Sequence, residues 1–168
     1  SLYKVKTRYA TEMNDILAEA RHPRHIGFES TFITVDQLDQ FTDAAPEVDW
    51  VATKGLIENL RAIKDAREIA LMKRAAQIAD EGFHRLCQVL RPGMTEREAA
   101  WELEASLRTH GAEKVAFDLI VGSGPGGAEP HHRPGLRQIE TGEPIVLDLG
   151  ARVDGYHSDL TRTICLGQ

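Results

Sequence analysis

The residues best suited to chemistry in this sequence are two aspartates, Asp148 and Asp159, standing on either side of an Asp154-Gly155 dipeptide. From Pro144 to Gly167 apolar and polar residues alternate on both sides of that dipeptide, and Asp-Gly readily takes the positive φ angles of a two-residue hairpin turn. A hairpin closed there sets Asp148 opposite Thr161. Side chains alternate faces along a strand, so Asp159 shares the face of Thr161 and lies one diagonal step from Asp148. Ile145, Leu147 and Leu149 fall on the other face with Tyr156, Leu160 and Ile164, which makes that face the packed one. Two carboxylates this close raise each other's proton affinity unless a cation lies between them. Metal binding is the chemistry predicted, against a plainer reading in which each Asp bonds a backbone amide or pairs with Arg152 or Arg162. Oxygen ligands suit Mg²⁺, Mn²⁺ or Ca²⁺, and an added His brings Zn²⁺, Co²⁺ or Fe²⁺ within range.

Histidines are the other chemical feature. His131 and His132 follow Pro130 in the segment 122–135, which holds five Gly and three Pro and reads as a shaped loop. By residue type alone, a His in such a loop is a solvated one. His157 shares the face of Asp159 by parity and is the local candidate for a further ligand, although its place beside the turn favours solvent.

The elements that must position these groups form a mixed pattern of the α/β (α+β) class. Residues 11–20 suggest a helix with Met13, Ile16, Leu17 and Ala20 on one side, followed by a strand at 26–28, a helix at 35–41 and an apolar stretch at 48–52. With two or three short strands, residues 1–59 read as part of a domain. From residue 60 the texture changes. Asp65 with Glu68, and Thr95 with Glu98, have the spacing of capping boxes opening two helices. The first is expected to bury Ile69, Met72, Ala76, Ala79, Phe83, Leu86 and Leu90 and to stop at Pro92-Gly93. The second is expected to bury Ala99, Leu103 and Leu107 and to end at Gly111. Val115 to Val121 reads as a strand.

Composition narrows the function. The 168 residues are 42% hydrophobic and 27% charged, as in a globular protein, and a net charge of −6 offers no broad positive field for nucleic acid. No apolar run approaches the ~20 residues of a spanning helix. The start, with Lys4, Lys6 and Arg8, lacks the apolar stretch of an export signal, so no membrane partner is expected. Cys87 and Cys165 form neither a disulfide framework nor a zinc cluster, which favours a cytoplasmic setting and two core thiols.

Together, D-L-G-A-R-V-D-G-Y-H-S-D-L-T-R-T, the preceding P-H-H, the loop G-S-G-P-G-G-A, L-R-P-G-M-T-E-R-E and R-A-I-K-D-A-R-E-I resemble the pita-bread metallopeptidases. The similarity is to the proline-directed branch, Xaa-Pro dipeptidase (prolidase) and aminopeptidase P. It covers residues 60–168 closely. Residues 1–59 are more weakly similar to the later part of the creatinase-type N-terminal domain of that branch, with Arg8 and Tyr9 fitting its Arg-Tyr strand signature. The resemblance implies the first half of a pita-bread catalytic domain over 60–168. It implies a centre of two divalent ions (Mn, Co or Zn) built from two Asp, one His and two Glu. Asp148 matches the first Asp and Asp159 the bridging one. His131 matches a His that holds substrate and the tetrahedral intermediate, with His132 its substrate-side neighbour. Gly126 stands where many relatives carry Asn, a change expected to loosen the loop.

The remaining His and both Glu come later in family members, so the chain reads as an internal piece, inactive by itself, of a cytoplasmic, homodimeric exopeptidase. Its expected substrates are peptides with proline in second position. Two other functions compete: a methionine aminopeptidase-like enzyme, disfavoured by the N-terminal domain, and a non-catalytic pita-bread binding module, disfavoured by retention of both Asp.

Overall fold

The computed structural model describes residues 9–167; Lys4, Lys6 and Arg8, named above, lie outside them. The chain divides into two compact units that part between Ile63 and Lys64. In the first, a 3-10 turn (Tyr9–Glu12) leads into α1 (Met13–Glu19), β1 (His25–Glu29), α2 (Val35–Ala44), β2 (Asp49–Thr53) and α3 (Leu56–Ala62). Tyr9 therefore opens a turn, where a strand signature was expected. β1 and β2 pair in parallel, with Ile26 opposite Trp50, and α2 makes the crossover that parallel strands require. Met13, Leu17, Phe41, Ala45 and Val48 form the core of this unit. Ala20, expected on the buried side, is exposed at the C-cap because α1 ends at Glu19.

The second unit begins with two helices, α4 (Ala66–Val89) and α5 (Glu96–Thr109), each opened by the expected capping box, Asp65 with Glu68 and Thr95 with Glu98. Gly111 follows α5 with φ 105°. Six strands come next: β3 (Lys114–Val115), β4 (Ile120–Ser123), β5 (Pro144–Leu149), β6 (Ala151–Val153), β7 (Tyr156–His157) and β8 (Leu160–Cys165). They form two three-stranded sheets, ordered β3-β6-β7 and β4-β5-β8. Ile78, Leu86, Leu103 and Leu107 of the helices pack with Val121, Ile145, Leu147 and Leu149 of the strands in one core.

Asp154 and Gly155 make the turn of the long hairpin, at φ 46° and 82°, and its arms keep one register, with Val153 opposite Tyr156 and Asp148 opposite Thr161. The hairpin is not one ribbon. It breaks at Gly150 on one arm and at Ser158 and Asp159 on the other, and there passes from one sheet to the other. Gly150 is required by close approach, since a Cβ there would overlap the Ser158 carbonyl oxygen.

Four expectations need correction. α4 buries Ala75, Ile78, Ala79, Gly82 and Leu86, while Ile69, Met72 and Ala76 are exposed. α5 comes so near that a Cβ on Gly82 would stand 2.7 Å from Leu107 Cδ2, so the stripe must carry a residue without a side chain at that point. The predicted strand at 115–121 is two strands in different sheets, because the chain steps between sheets at 116–119. Segment 122–135 is loop only in part: Gly122 and Ser123 belong to β4, and Gly124–Ala128 is a 3-10 turn. Cys87 and Cys165 are exposed, on the outer side of α4 and at the end of β8 opposite the exposed Pro144, and neither is in the core.

Candidate metal and substrate site

Asp148 is carried by β5 and Asp159 by the link between β7 and β8, and both line one cavity of about 600 Å³. The buried Leu147 and Leu149 anchor β5 on either side of Asp148 and turn its carboxylate to the opposite face. Asp148 accepts a hydrogen bond of 2.9 Å from Thr161 Oγ1, its cross-strand partner. Among the described residues neither carboxylate is in an ion pair. Arg162 donates to the Thr161 carbonyl at 2.8 Å, and Arg152 faces Glu113 at 3.4 Å. The plainer reading, in which those arginines neutralise the aspartates, is therefore not what the structure contains.

His131, His132, Phe117, Asp118 and Pro134 line the same cavity. His131 has φ 63°, a left-handed conformation unusual outside glycine, and its ring is exposed. His132 differs sharply from its neighbour. Its side chain is only 15% exposed, with Nε2 2.9 Å from Glu96 Oε2 and Nδ1 3.1 Å from Glu129 Oε2. The bond to Glu96, then that to Glu129, raise the imidazole's proton affinity above its usual value against the cost of burial. Gly126 is buried beneath this ring, and a Cβ on it would stand 2.8 Å from His132 Cε1. The space of the missing side chain is thus filled by His132, which corrects the expectation of a loosened loop. His157 stays in β7, in the other sheet, outside the cavity lining.

The residue that sequence reasoning missed is Glu96, at the start of α5 with its side chain 1% exposed. It accepts from Ser123 N–H and Ser123 Oγ, both at 2.8 Å, and from Gly135 N–H at 3.1 Å, besides its contact with His132. Burial pushes its carboxyl up, but the bonds from His132, Ser123 and Gly135 outweigh this and hold it below the usual range. An unpartnered buried carboxylate costs several kcal/mol, so the converging donors are what make the position tolerable. Ser123 Oγ in turn accepts from Arg137 at 2.6 Å, and Arg137 grips Glu143 with two nitrogens, at 2.6 and 2.7 Å. This chain of polar contacts fastens both ends of the His131 loop to α5.

The donor set fits a divalent cation in part. Two carboxylates without cationic partners face one cavity, the chemistry that hard and borderline ions take. Among the described residues no group of three or more His, Cys, Asp or Glu is arranged to hold a metal. A larger surface groove of about 940 Å³ beside Arg85, Arg97 and Trp101 holds neither Asp148 nor Asp159.

Comparison with known proteins matches the chain to two family models. The creatinase/prolidase N-terminal domain model matches residues 2–63, and the metallopeptidase family M24 model matches residues 70–168. An Xaa-Pro dipeptidase of Pyrococcus furiosus is 34% identical over 163 residues, spanning 97% of this chain and 46% of its own length. Among solved structures, the Xaa-Pro dipeptidase from Bacillus anthracis is 38% identical with a TM-score of 0.86, over 96% of this chain and 45% of that one. The X-Pro aminopeptidase from Thermotoga maritima is 30% identical with a TM-score of 0.89, over 99% and 47% respectively. The chain thus spans less than half the length of these relatives. No described helix is long and apolar enough to cross a membrane. The chain belongs to metallopeptidase family M24, with a creatinase/prolidase N-terminal domain ahead of the M24 region.

Proposed function

We propose that the whole protein is a metal-dependent exopeptidase releasing the N-terminal residue from peptides with proline in second position, Xaa-Pro dipeptides included. The observation that carries this reading is the convergence of Asp148, Asp159 and His131 on one cavity. The naming of the relatives as Xaa-Pro dipeptidases and an X-Pro aminopeptidase supports the choice of substrate. Asp148 and Asp159 would hold divalent ions, two in the whole protein and of the Mn, Co or Zn type, with Asp159 shared between them. When bound, such ions act as Lewis acids and lower the pKa of water.

The chain's own residues supply the rest. Thr161 Oγ1 donates to Asp148 Oδ1 and so orients that carboxylate. His131, whose ring has no carboxylate partner among the described residues, donates a hydrogen bond to the substrate carbonyl as negative charge develops on it. Removing one such donor costs about a hundredfold in rate. His132 completes the substrate side of the cavity beside it, with both ring nitrogens already engaged. Phe117 and Pro134 give the wall an apolar surface that suits a prolyl ring. A cytoplasmic homodimer is the setting proposed.

Hydrolysis by the purified, Mn²⁺-loaded whole protein is the test, comparing Ala-Pro, Ala-Pro-Ala and Met-Ala-Ala. Release of the residue before proline, lost on chelation, supports the reading. Cleavage of Met-Ala-Ala in preference would favour the methionine aminopeptidase alternative, and no metal-dependent cleavage would favour the binding module. Within the reading, His131→Ala lowers kcat and keeps both ions, whereas loss of an ion in that variant would make His131 a ligand.

A further inference from the structure

The contacts of Glu96 are unusual for a helix-opening residue, because they reach the beginning, middle and end of the loop that carries His131. Ser123 lies before that loop, His132 within it and Gly135 after it, and all donate to the one carboxylate. The helix start is closed from the same loop, since Arg97 N–H donates to the Gly135 carbonyl at 3.0 Å. His132 is held from its second nitrogen by Glu129. Carboxylates offer no protons to a ring nitrogen and a neutral imidazole has only one N–H. Both contacts can therefore be hydrogen bonds only when the ring is an imidazolium. Gly126 supplies the room for the ring. The residue before this fixed ring is His131, whose left-handed backbone costs energy and persists only where its surroundings over-determine it.

We infer that Glu96 is a positioning residue: by clamping a protonated His132 and the residues that flank the His131 loop, Ser123 and Gly135, it holds His131 in the left-handed conformation that sets it on the cavity wall with Asp148 and Asp159. The kinetic part of this inference rests on the peptidase reading above; the structural part does not. The charged groups around the His132 ring are Glu96 from α5 and Glu129 from its own loop, with Asp118, Arg133, Asp148 and Asp159 on the cavity wall.

The test is a ¹⁵N-histidine NMR titration of the 168-residue chain, in which the two ring nitrogens of each of the seven His report tautomer and charge. At about pH 7.5, above the ordinary His value of about 6.5, His132 should carry protons on both nitrogens. Glu96→Gln should lower its midpoint by about one pH unit or more, and Glu129→Gln, whose side chain is 70% exposed, by less. Gly126→Ala, which crowds the ring without touching either carboxylate, should lower it as well. A neutral His132 at that pH in the unaltered chain overturns the inference even where Glu96→Gln fails to fold. So does a midpoint unmoved by both Glu96→Gln and Gly126→Ala.

In the metal-loaded whole protein, Glu96→Gln should reduce kcat about tenfold or more, with KM and metal content near those of the unaltered enzyme. Loss of metal, or an unchanged kcat, contradicts the positioning role. Should the unaltered protein cleave no Xaa-Pro peptide, the peptidase reading falls, and the titration alone still decides whether Glu96 keeps His132 charged.

Discussion

Replacing Gly150 with alanine tests how the hairpin delivers two carboxylates to one cavity. Gly150 sits where the ribbon leaves one sheet for the other, two residues after Asp148, and close against the backbone of Ser158, which immediately precedes Asp159. An added Cβ would overlap the Ser158 carbonyl oxygen and stand 2.9 Å from both Ala116 Cβ and Phe117 Cε1. Phe117 can swing away. The Ser158 oxygen is backbone, and Ala116 is tied to Gly150 by an N–H to carbonyl bond of 2.9 Å, so strands must separate to relieve the overlap. Overpacking costs about 1–3 kcal/mol, and immovable neighbours put this site at about 3. In a unit of this size that is a fall in Tm of about 15 °C.

Gly82→Ala is the informative control. Its Cβ would meet Leu107 Cδ2 at 2.7 Å, but that atom ends a flexible side chain, and alanine gains about 1 kcal/mol of helix propensity over glycine. Thermal unfolding followed by circular dichroism should show a large drop for Gly150→Ala and a change of a few degrees for Gly82→Ala. Equal drops, or a Gly150→Ala chain within about 2 °C of the parent, would refute the distinction between backbone and side-chain neighbours.

Thr161→Val removes the 2.9 Å bond that orients Asp148 and should weaken divalent-ion affinity about tenfold by isothermal titration, with little change in Tm; unchanged affinity would deny Thr161 that role. The second unit should also lose stability toward both acid and alkali. Glu96, held below its usual range, contributes stability above about 4.3 that is lost as pH falls through its folded value. His132, held above its own range, contributes stability below about 6.5 that is lost as pH rises through its folded value. Denaturant midpoints from about pH 3 to about pH 9 should show both limbs, and Glu96→Gln should flatten them.

Features of the fold that depend on near neighbours in sequence were legible. Asp65 with Glu68, Thr95 with Glu98 and the Asp154-Gly155 turn each involve at most four consecutive residues, and each forms as expected. The turn then carries the pairing of Asp148 with Thr161, because register propagates along a hairpin. The buried face of α4 was less legible, since Ala75 and Gly82 carry almost no hydrophobic signal: Gly82 is selected by the nearness of α5, and Ala75 lies where its carbonyl accepts from Ser158 Oγ. Glu96 was illegible for a related reason. The capping box of Thr95 and Glu98 accounts for that helical turn by itself, whereas the partners of Glu96 lie 27, 36 and 39 residues away. A glutamate inside an already capped turn carries no local mark of burial; only the tertiary path of the segment 122–135 supplies its donors.

Asp148 and Asp159 are the residues proposed to carry the metal of this M24 peptidase. Elemental analysis of the Mn²⁺-loaded whole protein, set beside Asp148→Asn and Asp159→Asn, tests this most directly. Two ions per chain are expected in the parent, with Asp159→Asn losing more metal than Asp148→Asn, because the ligand proposed to be shared would serve both. Full and equal metal content in the parent and both variants would contradict the account.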